Sequence, residues 1–299
     1  MKKHVAIVGG GPAGLSAAVQ ARSEGLEPLV FEKAVLGGLA RAAYWIRNLA
    51  EYPNGISGQD FIEGLLRECD RLNVRIIREE VISVSRQKDG FFVWTGTSHY
   101  RVAAVVLATG TRPVRCTLVA GDAFGACRLH ADARGLPDRL SGESVLISGG
   151  GDVAFDTAMT ALDRGARVQI AYRGTAATAN EWLRTEVSRL AIQQYAGFEL
   201  QGIIPSGDRF QSIFKNKGRS EIFTTTHVVI CHGRDPDIAL WDSIARGTRA
   251  EAGWSGCRVP GLYACGEVVH GRNGSIQQAI LQGRGVVQQI QRKVIADEQ

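Results

Sequence analysis

The chain has 299 residues, of which 44% are hydrophobic and 22% are charged, a composition typical of globular proteins and unlike that of disordered or fibrous ones. This length allows two domains, each with its own core. The net charge of +5 is spread along the chain without a basic block, so no nucleic-acid partner is predicted, whereas an acidic protein or a phosphorylated ligand suits the charge.

The N-terminus combines a charged start with four apolar residues before the first glycines, which predicts a buried strand and not a secretory signal. No run of eighteen apolar residues occurs, so no membrane span is predicted. The cysteines contain no CxxC pair, a pattern typical of free thiols in the cytoplasm and not of a disulfide framework or a metal site. They are Cys69, Cys116, Cys127, Cys231, Cys257 and Cys265.

A glycine-rich loop follows the first predicted strand, His4–Val8, and opens a predicted helix. In the pattern G-x-G-x-x-G, Gly9 permits the tight turn, Gly11 lets the backbone approach a pyrophosphate, and Gly14 lets the helix lie close to the strand. The next strand ends at Glu32, where a carboxylate can accept hydrogen bonds from ribose hydroxyls. The sequence therefore predicts a dinucleotide site at this loop.

The same arrangement returns in the middle of the chain. The apolar strand Ser144–Ser148 precedes the loop GGGDVA (149–154), and the next strand ends at Tyr172. The distance from the first glycine to the end of this second strand is 23 positions in both units. We interpret the two units as an internal duplication with two nucleotide sites.

The second loop differs from the first in its chemistry. It keeps Gly149 and Gly151 but has Ala154 in the third place, and its strand ends in Tyr172-Arg173. An arginine beside the ribose suits a 2′-phosphate, which favours NADPH over NADH.

Each unit is followed by alternating segments that predict β-meanders, at 74–94 and 198–214, and then by an apolar strand. The predicted fold is α/β, with two doubly wound, Rossmann-like domains that each carry a meander insertion. The last segment, 261–299, is expected to be a strand and a long helix that return to the first domain. We therefore expect an FAD domain of residues 1–114 with 240–299, and an NAD(P) domain of residues 115–239.

With these motifs in view, the chain resembles the thioredoxin-reductase-like flavoproteins, which contain FAD, use a pyridine nucleotide and are usually homodimers. The likeness covers nearly the whole chain. It rests on GGGPAG with Glu32, LGG (36–38), EYPNGISGQDF (51–61), ATG (108–110), GGGDVAFD (149–156), HGRDPD (232–237), LYACGEV (262–268) and Gln277.

The resemblance implies which residues bind the two nucleotides. For FAD they are Gly9, Gly11, Pro12, Ala13, Gly14, Glu32, Lys33, Gly37, Gly38, Ala108, Thr109, Gly110, Gly266, Glu267 and Gln277. For the pyridine nucleotide they are Gly149, Gly151, Asp152, Val153, Ala154, Tyr172 and Arg173. Family members usually carry Asp in the place of Glu267, and either carboxylate can accept a ribityl hydroxyl.

Several departures narrow the predicted activity. The ungapped register places Asp132–Gly135 where thioredoxin reductases carry CxxC, so neither thiol that disulfide exchange requires is present. The basic run HRR that usually reads the 2′-phosphate is YRG (172–174), with Thr178 in place of a later arginine, which weakens the NADPH preference. Ferredoxin–NADP reductases of this family also lack CxxC but usually extend beyond the last helix. The bacillithiol-disulfide-reductase-like branch carries a cysteine in the first loop, which has Pro12 and Ala13 here.

Catalytic side chains beyond the flavin are weakly indicated. Cys127 and His130 form a CxxH in which the imidazole could activate the thiol; a coincidental pair is the favoured interpretation. Cys265 is expected to pack against the cofactor as a small buried thiol, and His270 to face water. The sequence predicts no metal site.

The sequence favours an NAD(P)H-dependent FAD oxidoreductase that passes electrons to an acceptor other than thioredoxin, with an acidic ferredoxin or flavodoxin as the specific candidate. One alternative is a flavoprotein oxidase or disulfide-forming tailoring enzyme, which fast reoxidation in air would identify. Another is a redox-sensing flavoprotein without nicotinamide turnover, which neither NADH nor NADPH would bleach.

Overall fold

The fold was analysed in a computed structural model that describes residues 3–118, 128–244, 259–271 and 274–296. Its strands are β1 (His4–Val8), β2 (Glu27–Phe31), β3 (Arg75–Ile77), β4 (Val81–Gln87), β5 (Gly90–Thr95), β6 (His99–Val102), β7 (Ala104–Leu107), β8 (Thr111–Pro113), β9 (Leu129–His130), β10 (Ser144–Ser148), β11 (Arg167–Tyr172), β12 (Gln193–Ala196), β13 (Glu199–Ser206), β14 (Arg209–Asn216), β15 (Arg219–Thr225), β16 (His227–Ile230), β17 (Arg234–Pro236) and β18 (Leu262–Ala264). Its helices are α1 (Pro12–Ser23), α2 (Gly58–Arg71), α3 (Asp152–Asp163), α4 (Glu181–Arg189), α5 (Ala239–Ile244), α6 (Glu267–His270) and α7 (Ile276–Ala296).

The chain divides into two compact units. Unit 1 comprises Met1–Arg41, Ile46–Arg112 and Arg234–Gln299, and unit 2 comprises Ala42–Trp45 and Pro113–Gly233. Each glycine loop therefore lies in a unit of its own, and the last segment of the chain belongs to the unit of the first loop.

Unit 1 is built on a five-stranded sheet in the order β18-β7-β1-β2-β3, paired in parallel throughout. Strand β1 is apolar because both of its faces are covered. Val5 and Ile7 pack in one core with helices α1 and α7, whereas Ala6 and Val8 pack in a second core with the meander β4–β5–β6. The sheet is thus enclosed between a helical layer and a β layer.

Unit 2 repeats this plan, with the order β12-β11-β10-β16-β9. Val145 and Ile147 of β10 pack with helices α3 and α4, and Leu146 points to the meander β13–β14–β15. The predicted α/β class with two doubly wound sheets and meander insertions is confirmed. In both units the glycine loop follows the central strand, at the edge where nucleotides bind in such sheets.

The predicted bounds of the two meanders were wrong. The first meander begins later than predicted, because residues 75–77 form β3 and its Ile76 and Ile77 pair with β2 in the main sheet. The second meander continues to Thr225. The apolar strand after each meander is present, as β7 and β16, and a turn follows each strand, where Gly110 has φ +67° and Gly233 φ +102°.

Among the described helices, none has both the length and the apolar character needed to cross a bilayer.

Candidate functional site

Each glycine of the G-x-G-x-x-G pattern in the first loop is explained by a different physical constraint. A Cβ on Gly9 would lie 2.2 Å from the Ala108 carbonyl oxygen, and one on Gly14 would lie 1.9 Å from the Gly9 oxygen. Both positions therefore exclude a side chain for reasons of packing. A Cβ on Gly11 would meet no protein atom within 4 Å, so the chain leaves open space at the position where the motif brings its backbone to a phosphate.

The start of helix α1 suits an anion. Gly11 is the N-cap, no side chain caps the helix, and Pro12 occupies its first position. The amide groups of a helix's first turn have no partner within the helix, and they carry the positive end of its dipole. These groups fit the pyrophosphate of FAD.

Glu32 braces the first loop at the end of β2. One carboxylate oxygen accepts the Gly10 amide at 2.8 Å, and the other accepts the Ala34 amide at 2.8 Å. A carboxylate oxygen has two acceptor positions, so both remain able to accept a ribose hydroxyl. Lys33 turns to the surface, where Nζ donates to Glu80 Oε1 at 3.1 Å; this hydrogen bond raises the pKa of Lys33.

Gly37 and Gly38, which the resemblance assigns to FAD, lie against the first loop. The Gly37 amide donates to the Gly10 carbonyl at 2.7 Å, and a Cβ on Gly38 would lie 3.5 Å from the Gly11 Cα. Both glycines have a positive φ, +101° and +56°, a conformation that side chains disfavour. Gly37 and Gly38 thus lie beside the glycines of the loop, where neither stretch of backbone carries a side chain.

The terminal segment brings a second group of residues to the same loop. Gly266 has φ +83°, and its Cβ would lie 2.9 Å from that of Ala13. Its amide donates to Gln282 Oε1 at 2.7 Å. A Cβ on Gly283 would lie 2.2 Å from the Ala13 carbonyl oxygen, so helices α1 and α7 are in backbone contact there. The sequence reasoning missed Gln282 and Gly283; the small residues of QGRG in an amphipathic helix were the available signal.

The remaining FAD candidates lie at the ends of the first unit's elements. Ala108 continues the β1–β7 pairing, Thr109 Oγ1 donates to the Asp237 carbonyl at 2.7 Å, and the Gly110 carbonyl accepts the Asp237 amide at 2.9 Å. Glu267 begins helix α6, next to Gly266. Gln277 is exposed in the first turn of α7, and nothing in the described residues connects it to the loop.

The second glycine loop has the same geometry. A Cβ on Gly149 would lie 2.5 Å from the Cys231 carbonyl oxygen, while one on Gly151 would find its nearest atom, Thr178 Oγ1, at 3.8 Å. Gly151 is the N-cap of α3, again without a side-chain cap. Asp152 Oδ1 accepts the Asn180 amide at 2.7 Å. Val153 is half-buried and Ala154 fully buried.

The end of β11 carries a cation beside this loop. Arg173 is exposed. The burial of His232 is the larger factor that lowers the pKa of this histidine, and the positive charge of Arg173 lowers it further. His232 Nε2 is 2.8 Å from Ser148 Oγ, at the end of the central strand. Tyr172 packs on Gly150 through its Cβ and ring, and its hydroxyl donates to Gln194. Sequence reasoning did not assign the Ser148–His232 pair to the site.

An ion pair lies in the segment where the ungapped register predicts the dithiol of thioredoxin reductases. Asp132 is buried and accepts Arg134 Nη2 at 2.7 Å in the short 3-10 turn Ala133–Gly135. Nearby, His130 Nε2 is 3.0 Å from His227 Nδ1, and burial followed by the neighbouring imidazole lowers the pKa of His130 to about 4. Cys127 lies outside the described residues, so its pairing with His130 stays a prediction.

None of the described cysteines forms a disulfide. Complete burial raises the pKa of Cys265 to about 12, so its thiol is protonated at neutral pH. Among the described residues, no group of His, Cys, Asp and Glu is arranged to hold a metal ion.

The chain matches the pyridine nucleotide-disulphide oxidoreductase family over residues 3–283, and it belongs to that family. It is an NAD(P)H-dependent oxidoreductase whose two glycine loops fit FAD and a pyridine nucleotide. The predicted family resemblance is confirmed.

The curated relatives and the similar solved structures have three kinds of name. Ferredoxin–NADP reductase 1 of Bacillus licheniformis is 27% identical over 288 residues, covering 89% of this chain and 82% of the relative. A ferredoxin–NADP reductase of Streptococcus pyogenes is 30% identical over 187 residues, covering 59% of this chain and 56% of the relative.

Among solved structures, thioredoxin reductase from Lactococcus lactis, in the FR conformation, superimposes with TM-score 0.87 at 23% identity over 99% of this chain and 100% of its own. Bacillithiol disulfide reductase from Bacillus cereus superimposes with TM-score 0.76 at 19% identity over 98% and 100%. At 23% and 19% identity, the two structural likenesses show the fold alone.

Proposed function

We propose that the protein transfers electrons from NADPH through FAD to an acidic electron-carrier protein of the ferredoxin or flavodoxin class. The observation that carries the proposal is the Asp132–Arg134 ion pair, in the segment where the ungapped register with thioredoxin reductases predicts the dithiol. An ion pair cannot exchange with a disulfide, so the electrons must leave by a route that needs no thiol.

Two further observations support a protein carrier. The relative matched over 89% of this chain is named for ferredoxin, and the chain's net charge of +5 favours encounter with an acidic partner. When bound, FAD supplies the chemistry that accepts a hydride from nicotinamide and releases electrons to a carrier. The chain's own part is to hold the two nucleotides at the uncapped helix starts near Gly11 and Gly151.

The proposal includes the individual nucleotide-binding residues named above, the domain boundaries 1–114 with 240–299 and 115–239, a homodimer, and a cytoplasmic location. Exposed Arg173 favours NADPH over NADH, since its guanidinium is available for a 2′-phosphate.

An anaerobic titration with NADPH and with NADH, followed at about 450 nm where oxidised flavin absorbs, tests the first half of the reaction. We expect NADPH to bleach the flavin at lower concentration than NADH. If neither nucleotide bleaches it, the reductase proposal is wrong and a flavoprotein without nicotinamide turnover takes its place.

Steady-state NADPH oxidation with ferredoxin, with flavodoxin and with thioredoxin tests the second half. We expect turnover with an acidic carrier that falls as salt is raised, because charge steers the encounter, while flavin bleaching by NADPH changes little. Equal turnover with oxygen alone would favour the oxidase, and turnover with thioredoxin would contradict the argument from the missing dithiol.

A further inference from the structure

The two halves of the chain differ at the end of their central strands. In unit 1, β1 ends at Val8, an apolar residue that packs in a core with the meander. In unit 2, the corresponding place at the end of β10 carries Ser148, which is 2% exposed. A buried hydroxyl costs free energy unless it has a hydrogen-bond partner. Since the fold accepts valine at this place in unit 1, packing alone does not explain the serine.

A histidine of the same unit is the partner of this hydroxyl. His232 Nε2 is 2.8 Å from Ser148 Oγ. Burial is the main factor that lowers the pKa of this histidine, so the imidazole is mainly uncharged at neutral pH, although the residue as a whole is exposed. Among the described residues, the other ring nitrogen, Nδ1, has no hydrogen-bond partner. The pair therefore holds an imidazole in place and leaves one of its nitrogens available.

His232 lies beside the second glycine loop, within unit 2. A Cβ on Gly149 would lie 2.5 Å from the carbonyl oxygen of the preceding residue, Cys231. His232 follows β16, and Arg173 follows β11. These two strands flank the central strand β10 on opposite sides. Arg173 and His232 therefore stand on the two sides of the loop that follows β10.

The corresponding side chain of unit 1 is used by the fold. It is that of Thr109, because Ala108 before it makes the same contact with the first glycine of its loop. The Thr109 hydroxyl donates to the Asp237 carbonyl at 2.7 Å, within unit 1. The side chain of His232 is instead held by another side chain and keeps one nitrogen available.

The strand order of unit 2 indicates which part of a nucleotide would meet this imidazole. The chain runs from β10 to β11 and β12 on one side and then reverses to β16 on the other. A dinucleotide in such a sheet crosses the end of the central strand at this reversal, with the adenosine ribose at the end of the strand that follows the glycine loop and its helix. In unit 2 that strand is β11, which ends beside Arg173. The β16 side is left to the nicotinamide half.

We propose that His232, held by Ser148, binds the nicotinamide ribose phosphate of the pyridine nucleotide, the half opposite the one beside Arg173. An imidazole nitrogen can form a hydrogen bond with a ribose hydroxyl, or with a phosphate oxygen when it carries the proton. Ser148 is a positioning residue, since it acts through the imidazole. The inference rests on the proposed function, because it assumes that the second loop binds a pyridine nucleotide.

Calorimetric titration of the oxidised holoprotein tests the assignment without turnover. NADP⁺ carries both halves, whereas 2′,5′-ADP carries only the adenosine half with its 2′-phosphate. We expect His232→Ala to bind NADP⁺ about threefold to tenfold more weakly, the effect of losing one neutral hydrogen bond, and to bind 2′,5′-ADP as the wild type does. Arg173→Gln should weaken the binding of both ligands. The control His99→Ala, which removes an exposed imidazole from the meander of unit 1, should weaken neither.

Two results of this titration would overturn the proposal. If His232→Ala weakens NADP⁺ and 2′,5′-ADP equally, the residue acts on the adenosine half or supports the loop. If His232→Ala changes the affinity for neither ligand, the Ser148–His232 pair has a structural role only.

A double-mutant cycle tests whether the hydroxyl acts through the imidazole. Ser148→Ala should weaken NADP⁺ binding by less than His232→Ala does, because the imidazole is then present but no longer held. In the His232→Ala background the same substitution should have no further effect. Additive losses would show that Ser148 acts independently of His232 and would contradict the hold.

Chemical modification of the wild type decides the question if His232→Ala does not fold. Diethyl pyrocarbonate acylates accessible, uncharged imidazoles, and mass spectrometry measures its reaction with His232 and, as a control, with His99. NADP⁺ should slow the reaction of His232 more than 2′,5′-ADP does and should leave that of His99 unchanged. Equal protection by the two ligands, or no protection by NADP⁺, would refute the assignment.

Failure of the proposed function gives a different result from failure of this inference. Wild-type protein that binds neither NADP⁺ nor 2′,5′-ADP would refute the nucleotide role of the second loop, and this inference with it. Wild-type protein that binds both, with no loss in His232→Ala, would refute only the role of His232.

Discussion

Replacing Gly11 by alanine separates what the fold needs from what FAD needs. The position has φ −80° and ψ −177°, which every residue type can adopt, and an added Cβ would meet no protein atom within 4 Å. As an N-cap, alanine is less favourable than glycine, which costs the fold on the order of 1 kcal/mol at most. We therefore expect Gly11→Ala to fold with nearly the stability of the wild-type apoprotein.

FAD binding should respond far more strongly. The methyl group would stand where the motif lets the backbone approach a pyrophosphate, and each amide–phosphate hydrogen bond lost costs about 1.5–3 kcal/mol. FAD affinity should fall roughly tenfold to 150-fold for one such bond. The measurement is the FAD bound per chain after gel filtration, together with titration of the apoprotein and its thermal unfolding.

Gly151→Ala is the matched control, since its Cβ would find only Thr178 Oγ1 at 3.8 Å. This variant should retain FAD and lose affinity for NADPH. A Gly11→Ala protein that binds FAD as tightly as the wild type would show that the pyrophosphate does not lie at this loop.

Three further predictions concern other parts of the chain. Gly283→Ala should lower the free energy of unfolding by about 1–3 kcal/mol, because its Cβ would lie 2.2 Å from the Ala13 oxygen; chemical denaturation measures this loss, and an unchanged midpoint would contradict it. Arg173→Gln should weaken NADPH binding by roughly tenfold and leave NADH binding unchanged; equal effects on both nucleotides would exclude a role in reading the 2′-phosphate. The His130–His227 pair should destabilise the protein on acidification, because the pKa values of both imidazoles are lowered in the folded state. The unfolded chain therefore binds more protons than the folded chain from about pH 6.5 down to about pH 4. The free energy of unfolding falls as the pH falls through this window. His130→Asn should flatten that slope in denaturation measured at several pH values.

The fold was largely predictable because its signals are local. The strand–glycine–helix units are short, and each apolar strand is buried on both faces, so periodicity and composition were sufficient to identify them. Segment boundaries failed where the deciding partner is distant in sequence. Ile76 and Ile77 alternate poorly and looked like part of the meander, but they pair with β2, more than forty residues earlier.

The candidate sites were predictable only in part, for the same physical reason. Glycines with positive φ mark backbone turns, and a sequence displays them directly. Gln282 supports Gly266 from a helix, and Asp156 accepts the Tyr44 amide across 112 residues of sequence. Asp156 ends the motif GGGDVAFD and Gln282 begins QGRG, but neither pattern indicates which distant backbone group the side chain supports.

The two glycine loops give independent reasons to believe that both bind a nucleotide. Gly9 and Gly149 are required by the neighbouring strand, whose carbonyl oxygens would lie 2.2 and 2.5 Å from an added Cβ; the sheet needs these glycines whether or not a ligand is present. Gly11 and Gly151 meet no such obstacle, and glycine costs more backbone entropy than any other residue. The fold gives no steric reason for a glycine at either position, and Asn, Asp or Ser would cap the helix better than glycine. Close approach of a ligand therefore explains the glycines in both halves of the chain.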